Sequence, residues 1–233
     1  MTVPYPRQHE RRPERVVVSP HLDDAVLSCG ALIAADPGTL VVTVFAGRPQ
    51  PGLSGEPTDW DRSCGFAAGD DVLAARRHED DCACAALGAE PRWLDFVDYQ
   101  YGEPVAVDEI AAELGAVIEA LAPAELFVPL GLVHPDHDRT HRACRLLIGR
   151  TTLTVFAYED LPYRALEGAV DTRITELDAA GLNPRRVDLG VDGRDARKHE
   201  AIACYASQAR GLAAAWPGYE RVLTREYYWR LGA

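Results

Sequence analysis

The 233-residue chain lacks any apolar stretch near the roughly 20 residues that a membrane-spanning helix needs. The arginines near its N-terminus are not followed by an apolar region, so we expect no secretory signal. Positive charge is also scarce: 24 Lys and Arg stand against 36 Asp and Glu, for a formal net charge of −12. This balance argues against nucleic-acid and anionic-membrane partners. We therefore expect a cytoplasmic globular protein.

The cysteines indicate neither a thiolate metal site nor a disulfide framework. Six are present, but no two have the Cys-x-x-Cys spacing of a zinc-binding pair. Those expected to be small buried residues of helices are Cys29, Cys82, Cys84, Cys144 and Cys204. Cys64 lies in a loop-like stretch and has no assigned role. A reduced protein is the expectation.

Short apolar runs alternate with longer amphipathic segments, which is typical of a parallel sheet flanked by helices. We expect one α/β domain over residues 1–233, with a flexible lead-in at residues 1–14. The predicted strands are residues 15–18, 40–45, 92–96, 126–130, 153–158 and 225–229. The predicted helices are residues 24–35, 71–87, 108–121, 138–148 and 193–209. Residues 47–69 are expected to form a long loop and residues 159–190 a less regular region.

Two segments rich in imidazoles and carboxylates each follow a predicted strand. They are residues 19–24, Ser-Pro-His-Leu-Asp-Asp, and residues 134–141, His-Pro-Asp-His-Asp-Arg-Thr-His. Open α/β sheets bind ligands at the carboxyl ends of their strands, so we expect both segments to contribute to one site. Four of the seven histidines fall in these segments, an arrangement that helix capping alone does not explain.

His21, Asp24 and His137 offer two imidazoles and a carboxylate, a donor set for a divalent metal that keeps positions open for water and substrate. His141 stands one helical turn after His137, so the residue types alone leave it as a further candidate ligand.

The remaining polar residues of the two segments suit hydrolytic chemistry. Asp23, next to a predicted ligand, is a candidate general base for water. His134 is a candidate hydrogen-bond donor to the oxyanion of a tetrahedral intermediate. Asp136 is expected to fix the tautomer of His134 and to favour its charged form.

The pattern resembles the LmbE-like (PIG-L) family of zinc-dependent N-deacetylases. The family's His-Pro-Asp-Asp-Glu motif is similar to His-Leu-Asp-Asp-Ala at residues 21–25, and its His-Pro-Asp-His motif is complete at residues 134–137. Weaker colinear features at residues 76–88 and 198–208 extend the resemblance to nearly the whole chain. It implies a Rossmann-like, LmbE-like fold and the removal of acetyl groups from N-acetylglucosaminyl compounds and related amides.

The resemblance also implies roles for single residues. Zinc would be bound by His21, Asp24 and His137, while His141 becomes structural. Asp23 would be the base and His134 the oxyanion stabiliser. Arg76 and Asp98 match positions that contact substrate in some members; for Arg76 the alternative is an ion pair with Glu79 or Asp80 along its helix. Iron(II) accepts the same three ligands as zinc.

Three residues depart from the family pattern. Leu22 replaces a proline and Ala25 a glutamate in the first motif, and Leu132 stands where some members have a tyrosine near the scissile carbonyl. None removes a predicted ligand or the predicted base. The loss of a carboxylate at residue 25 is expected to alter the orientation of the ligands, and Leu132 places more of the oxyanion stabilisation on the metal and His134.

The sequence therefore favours a zinc hydrolase that removes an N-acetyl group from a small-molecule amino sugar or glycoconjugate. One alternative is an amidase of the same scaffold that acts on a non-acetyl natural-product or thiol-conjugate amide. Another is a non-catalytic sugar-binding protein on a decayed enzyme scaffold. A nucleotide-binding module is disfavoured, since the first strand leads to Pro-His-Leu-Asp rather than to a glycine-rich phosphate loop.

Overall fold

A computed structural model describes residues 13–49, 56–148, 153–193 and 195–232. The strands are β1 Arg15–Ser19, β2 Leu40–Thr43, β3 Glu90–Trp93, β4 Glu125–Pro129, β5 Thr154–Tyr158, β6 Arg185–Val187 and β7 Tyr228–Leu231. They form a mixed sheet in the order β3-β2-β1-β4-β5-β7-β6. The strands from β3 to β5 in this order run parallel, whereas β7 is antiparallel to both of its neighbours. The structure confirms a mostly parallel α/β sheet.

Helices cover both faces of the sheet. In the described ranges they are α1 Asp24–Ala35, α2 Asp59–Ser63, α3 Val72–Leu87, α4 Val107–Leu121, α5 Pro135–Arg145, α6 Ala169–Ala179, α7 Ala196–Cys204 and α8 Ala206–Ala215. None of these is long and apolar enough to cross a membrane. Val16 and Val18 pack with α4 and α5, and Val17 packs with α1, α3 and α7. Successive strand residues point to opposite faces, which explains why a strand covered on both sides is a continuous run of valines.

The topology brings the two polar segments together. β1 pairs in parallel with β2 on one side and with β4 on the other. The strand order therefore changes direction at β1 and β4, and the carboxyl ends of these two strands border a crevice of the kind in which α/β sheets bind ligands. Residues 19–24 leave β1 at this edge, and residues 134–141 follow β4 at the same edge.

Several boundaries differ from the sequence-based expectation. β3 begins at residue 90 rather than 92, because residues 90–93 pair with β2. Beyond the two strands, an isolated bridge joins Phe45 to Asp95. β7 covers residues 228–231 rather than 225–229. α5 begins at Pro135 instead of residue 138, since proline suits the first position of a helix.

Two regions expected to be irregular contain regular elements. The predicted loop at residues 47–69 includes α2, which begins with a capping box between Thr58 and Asp61. The region at residues 159–190 includes α6 and β6. The predicted helix at residues 193–209 is two helices, because Tyr205 between them has a non-helical ψ of 56°. Residues 1–12, 50–55 and 194, parts of the predicted lead-in, loop and helix, lie outside the described residues.

The expectation that the cysteines are all reduced is wrong for one pair. Cys82 of α3 and Cys204 of α7 form a disulfide, with their Cα atoms 5.9 Å apart. Cys82 is exposed and Cys204 half-buried, so neither is the small core residue that its neighbours suggested. Close packing of α3 against α7 brings together two cysteines that are 122 residues apart in sequence. The free cysteines of the described chain are buried: Cys29, Cys64, Cys84 and Cys144.

Buried polar contacts join α3 to the C-terminal helices. The Glu79 carboxylate accepts hydrogen bonds from the backbone N–H (2.8 Å) and the hydroxyl (2.6 Å) of Ser207. Asp80 accepts from the hydroxyl of Tyr205 and from the indole N–H of Trp93, both at 2.7 Å. These contacts join the two weaker sequence motifs, residues 76–88 and 198–208, in one interface behind the crevice.

A fully buried ion pair fixes α7 against α1. Lys198 Nζ lies 2.7 Å from Glu226 Oε1, and both side chains are 0% exposed. The Glu226 carboxylate also accepts from the backbone N–H groups of Ala31 (2.8 Å) and Leu32 (3.1 Å). The Lys198 stem occupies the place of a side chain at Gly30, where an added Cβ would lie 2.7 Å from Lys198 Cγ. Burial of both charges is tolerated because each is paired and hydrogen-bonded.

We predict that Lys198→Met lowers the free energy of unfolding by about 3–5 kcal/mol, because Glu226 is left as a buried charge without its cation. Urea denaturation monitored by circular dichroism measures the loss. The control is Arg142→Met, which removes an exposed pair to Asp138 at 3.7 Å and should cost no more than about 1 kcal/mol. Equal losses in the two variants would contradict this account of the buried pair.

Candidate metal centre and active site

The first polar segment is a tight turn between β1 and α1. The Ser19 hydroxyl donates to the carbonyl of His21 (2.6 Å) and accepts from the backbone N–H of Ala25 (2.9 Å). Asp23 occupies the N-cap position of α1, yet among the described residues its carboxylate caps no backbone N–H. It is therefore free to face the cavity that it lines. Asp24 is the first residue of the helix.

The family departures in these segments lie on the inner side of the fold. Ala25 is 2% exposed and packs in the apolar core between α1 and α3, a place where a glutamate would need a buried partner. Leu22 is 6% exposed and Leu132 is 2% exposed. Leu132 packs in the core on the other face of the sheet, so its side chain belongs to the scaffold.

The second polar segment leaves β4 through a strained turn. Val133 has φ +60°, and the backbone N–H of His134 donates to the carbonyl of Leu132 at 2.6 Å. This is the γ-turn with a positive φ, which is rare and costly for a β-branched residue. Contacts from elsewhere hold it: Asp160 Oδ2 accepts from the N–H of Gly131 (3.0 Å), and Arg173 donates to the Gly131 carbonyl (2.7 Å).

His134 caps the helix that carries His137. Its Nδ1 accepts from the backbone N–H of Asp136 at 3.3 Å. A neutral ring that accepts at Nδ1 carries its proton on Nε2. His134 thus holds a hydrogen-bond donor beside the cavity that it lines.

One carboxylate oxygen lies between the two predicted imidazole ligands. Asp24 Oδ2 is 3.1 Å from His21 Nδ1 and 3.0 Å from His137 Nε2. The three predicted metal ligands, from two segments more than a hundred residues apart, are therefore in direct contact through this oxygen. His137 and Asp24 are buried, and the His21 side chain is 20% exposed.

Asp160 is a functional candidate that sequence reasoning missed. Its Oδ1 lies 2.7 Å from His137 Nδ1, and the residue is 0% exposed. A carboxylate on the outer nitrogen of a ligand imidazole fixes the tautomer and raises the basicity of the inner nitrogen. Asp160 follows the carboxyl end of β5, so the strand-end argument applied to the first two segments could have identified it.

Asp136 fixes the His134 tautomer through its backbone N–H, while its carboxylate has other partners. Its Oδ2 lies 3.4 Å from His21 Nε2 and accepts from the backbone N–H of Tyr99 at 3.1 Å. Its Oδ1 accepts from Arg139 at 2.9 Å. Asp136 therefore orients His21 from its outer nitrogen, as Asp160 orients His137.

The electrostatics of the cluster favour a cation. Burial opposes the charged form of His21 and His137, but the surrounding carboxylates raise the pKa of His21 well above its usual value and that of His137 to about 9. Burial opposes ionisation of Asp24 as well, yet the two imidazoles bring its pKa well below the usual range. The carboxylates thus draw positive charge onto the point where the ligand atoms converge.

The two predicted catalytic side chains have displaced pKa values. Burial, followed by the charge of Asp24, raises the pKa of Asp23 to about 7. Burial and the positive charge on His21 and His137 lower the pKa of His134 to about 3. A metal cation at the same place would act on His134 in the same direction. Asp136 favours the charged form of His134 as expected, but burial and the two other imidazoles outweigh it, so His134 is a neutral donor.

The described residues offer groups of side chains that could hold a divalent metal. In one, His21, His134 and His137 each present a nitrogen within 4.8 Å of the others, so it contains two of the three predicted ligands, with His134 in place of Asp24. His21, Asp98 and Asp136 form a second such group. Two imidazoles and a carboxylate with an open side toward a cavity are typical of a catalytic rather than a structural site.

A cavity of about 630 Å³ opens on this cluster. Its wall includes the aromatic residues Phe45, Trp60, Tyr99, Tyr101, Tyr163 and Trp216. A mostly apolar wall with a few convergent polar groups is the usual form of a small-molecule site.

The two predicted substrate-binding residues line the cavity but are engaged by the protein. Arg76 donates to Asp61 Oδ1 (2.9 Å) and to the hydroxyl of Tyr101 (3.2 Å), so it pairs with α2 and not with a carboxylate of its own helix. Asp98 accepts from the backbone N–H (3.0 Å) and the side-chain amide (2.7 Å) of Gln100. In the described part of the chain, the buried Nε of Arg76 has no hydrogen-bond partner.

His141 lies away from the cluster of ligand atoms. Its Nδ1 is 2.9 Å from the carbonyl of Pro129, and the residue is 0% exposed. Burial lowers its pKa to about 4. The His141 side chain packs against Gly131. A Cβ added to that glycine would lie only 2.4 Å from the Cβ of His141. This packing supports a structural role.

Comparison with known proteins identifies relatives of this chain in sequence and in fold. Residues 16–148 match the family model of the GlcNAc-PI de-N-acetylase family, PIG-L. A 2'-N-acetylparomamine deacetylase from Streptomyces fradiae is 32% identical over 224 residues, which cover 87% of this chain and 76% of the relative.

Solved structures of deacetylases are similar to this chain in fold. A triple mutant of a deacetylase of the teicoplanin biosynthetic pathway superposes with a TM-score of 0.78 at 28% identity, covering 94% of this chain and 98% of the other. The zinc-inhibited form of the teicoplanin deacetylase superposes with a TM-score of 0.79 at 25% identity, covering 93% and 97% of the two chains.

We predict that Asp160→Asn weakens metal binding by roughly 10- to 100-fold, because the carboxylate no longer orients His137 or raises its basicity. Competition with a chromogenic chelator measures the affinity. His141→Asn is the matched control, since an asparagine amide can replace the Nδ1–H that faces Pro129. If His141→Asn weakened metal binding as much as Asp160→Asn, the assignment of the ligands would be wrong.

We also predict that Val133→Gly stabilises the protein by about 1 kcal/mol. The strained turn costs about 1–3 kcal/mol, and the greater freedom of glycine in the unfolded chain offsets about 0.5–1 kcal/mol of the gain. The Val133 residue is 61% exposed, so little burial is lost. Urea unfolding tests this, with Val105→Gly, outside the positive-φ residues, expected to destabilise. A lower midpoint for Val133→Gly would show that the turn is not strained.

Proposed function

The chain belongs to the GlcNAc-PI de-N-acetylase (PIG-L) family, and we propose that it is a metal-dependent hydrolase that removes the N-acetyl group of an amino sugar. The observation that carries this proposal is the contact of His21 and His137 with one Asp24 oxygen, beside a cavity that is lined by His21, Asp24, Asp23 and His134. A binding protein would have no evident need for such a set.

We propose zinc as the metal held by His21, Asp24 and His137, with iron(II) as the alternative. When bound, a divalent metal activates water and polarises an amide carbonyl. The rest of the chemistry falls to the side chains. Asp23 accepts one proton as the water oxygen bonds to the carbonyl carbon. That proton passes to the nitrogen when the C–N bond breaks, and the second water proton leaves with acetic acid.

His134 supports the same reaction as a neutral donor. Its Nε2–H is fixed by the hydrogen bond that Nδ1 accepts, and a neutral imidazole can donate to an oxyanion without proton transfer. The adjacent helix N-terminus favours negative charge as well. Removal of one such donor typically lowers kcat by about 10²–10³-fold.

The proposed substrate is an amino sugar that is part of a larger small molecule. The cavity of about 630 Å³ has room beyond a single pyranose ring, and its aromatic wall suits the apolar faces of sugar rings. The paromamine deacetylase acts on an N-acetylated amino sugar according to its name, and we carry that substrate class to this chain. Arg76 and Asp98 are proposed to contact the substrate hydroxyls.

The teicoplanin deacetylases favour a second candidate, the amide of a glycopeptide-like natural product. Acetate release from an N-acetylated pseudodisaccharide, compared with amine release from acylated glycopeptides, separates the two. A cytoplasmic location and the absence of nucleic-acid and membrane partners stay predictions from the sequence.

The proposed roles of the two adjacent aspartates predict different losses. Asp23→Asn should retain about one metal ion per chain but lose most acetate release, roughly 10²–10⁴-fold, because the base is gone. Asp24→Ala should lose both the metal and activity. Elemental analysis and an acetate assay on the same samples measure both quantities. Full activity in metal-loaded Asp23→Asn would refute its role as the base.

A further inference from the structure

A tyrosine outside both motifs stands at the reacting centre. Tyr163 lies in the short turn at residues 163–165 that follows β5. Its ring centroid is 5.0 Å from that of His137, at an interplanar angle of 83°, and 6.0 Å from that of His134. It also lines the cavity. Its hydroxyl has no hydrogen-bond partner among the described residues, whereas the hydroxyl of Tyr101, in the same cavity wall, is bonded to Asp61.

The backbone holds this ring in place. The N–H of Leu161 donates to the Ser28 hydroxyl of α1 at 3.1 Å, and the N–H of Arg164 donates to the Asp160 carbonyl at 2.9 Å. The indole of Trp216 also meets the Tyr163 ring edge to face, with centroids 5.5 Å apart. One short segment therefore places Asp160 on the outer nitrogen of His137 and Tyr163 against its ring.

The residues present leave one hydrogen-bonding role open. A tetrahedral oxyanion gains from every fixed donor that faces it. His134 supplies one, and Leu132 cannot supply another because its side chain is apolar and packed in the core. A phenol is a neutral donor that keeps its proton at neutral pH.

We propose that Tyr163 is a catalytic residue that donates a hydrogen bond from its hydroxyl to the oxygen of the substrate carbonyl as it becomes an oxyanion. This rests on the proposed amide hydrolysis. Tyr163 and His134 then act on the same oxygen, and the phenol does its work in the transition state more than in substrate binding.

The test is Tyr163→Phe, which removes only the hydroxyl and keeps the ring packing. We expect kcat for acetate release to fall roughly 10²-fold with KM and metal content nearly unchanged. Binding of a methylphosphonamidate analogue of N-acetylglucosamine, whose tetrahedral phosphoryl group resembles the oxyanion, should weaken about 10- to 100-fold by calorimetry. Binding of glucosamine should not change. Tyr227→Phe, a phenol stacked on Arg164 and Arg186 outside the cavity, is the control and should match the wild type.

The outcomes separate this proposal from the proposed function. If the wild type releases no acetate but binds the analogue, and Tyr163→Phe weakens that binding, the role of Tyr163 stands and the deacetylase function fails. Equal analogue binding by the wild type and Tyr163→Phe would overturn the role of Tyr163, whatever the activity. The Tyr99 ring is 5.4 Å from that of His134. If analogue binding weakened in Tyr99→Phe and not in Tyr163→Phe, the role of Tyr163 would also be overturned. A wild type that does not bind the analogue would overturn it as well.

Discussion

The site depends on one buried carboxylate that two imidazoles share. Asp24 Oδ2 lies 3.1 Å from His21 Nδ1 and 3.0 Å from His137 Nε2, and a buried carboxylate is stable only if cations or hydrogen bonds surround it. Much of the nearby structure meets this need. The parallel pairing of β1 with β4 brings the two histidines together, and Asp136 and Asp160 hold their outer nitrogens. A cation at the shared oxygen would complete the balance of charge.

The environment of each side chain around Asp24 suits it either to metal binding or to catalysis. Asp23 lies beside Asp24 at the start of the same helix, but within the described ranges its carboxylate makes no capping hydrogen bond, and it lines the cavity, where it is placed for proton transfer. His134 is next to cations and stays neutral, which suits a hydrogen-bond donor rather than a ligand that competes for the metal. The strained turn at Val133 and the turn that carries Tyr163 place the His134 and Tyr163 side chains at the cavity wall.

The fold and the central residues could be predicted from sequence because their signals are local. A run of valines before His21, and another apolar run before His134, are enough to place both segments at strand ends. Contacts made by the tertiary structure could not be predicted. The place of Asp160 at a strand end makes it a candidate, but its pairing with a histidine 23 residues earlier is a tertiary contact. Arg76 pairs with Asp61 across two helices, and the Cys82–Cys204 bond depends on how α3 packs on α7. The sequence around Cys82 and Cys204 predicted that both lie in helices. It did not indicate which residues these cysteines contact in the folded chain.

Anomalous diffraction at the zinc edge from a zinc-soaked crystal tests the central claim most directly. We predict one strong peak bonded to His21 Nδ1, Asp24 Oδ2 and His137 Nε2, at the roughly 2.0–2.2 Å expected for zinc with nitrogen and oxygen ligands. A single peak at the outer nitrogen of His21, between Asp98 and Asp136, would contradict the account. A crystal with no ordered zinc at the shared oxygen of Asp24 would contradict it as well.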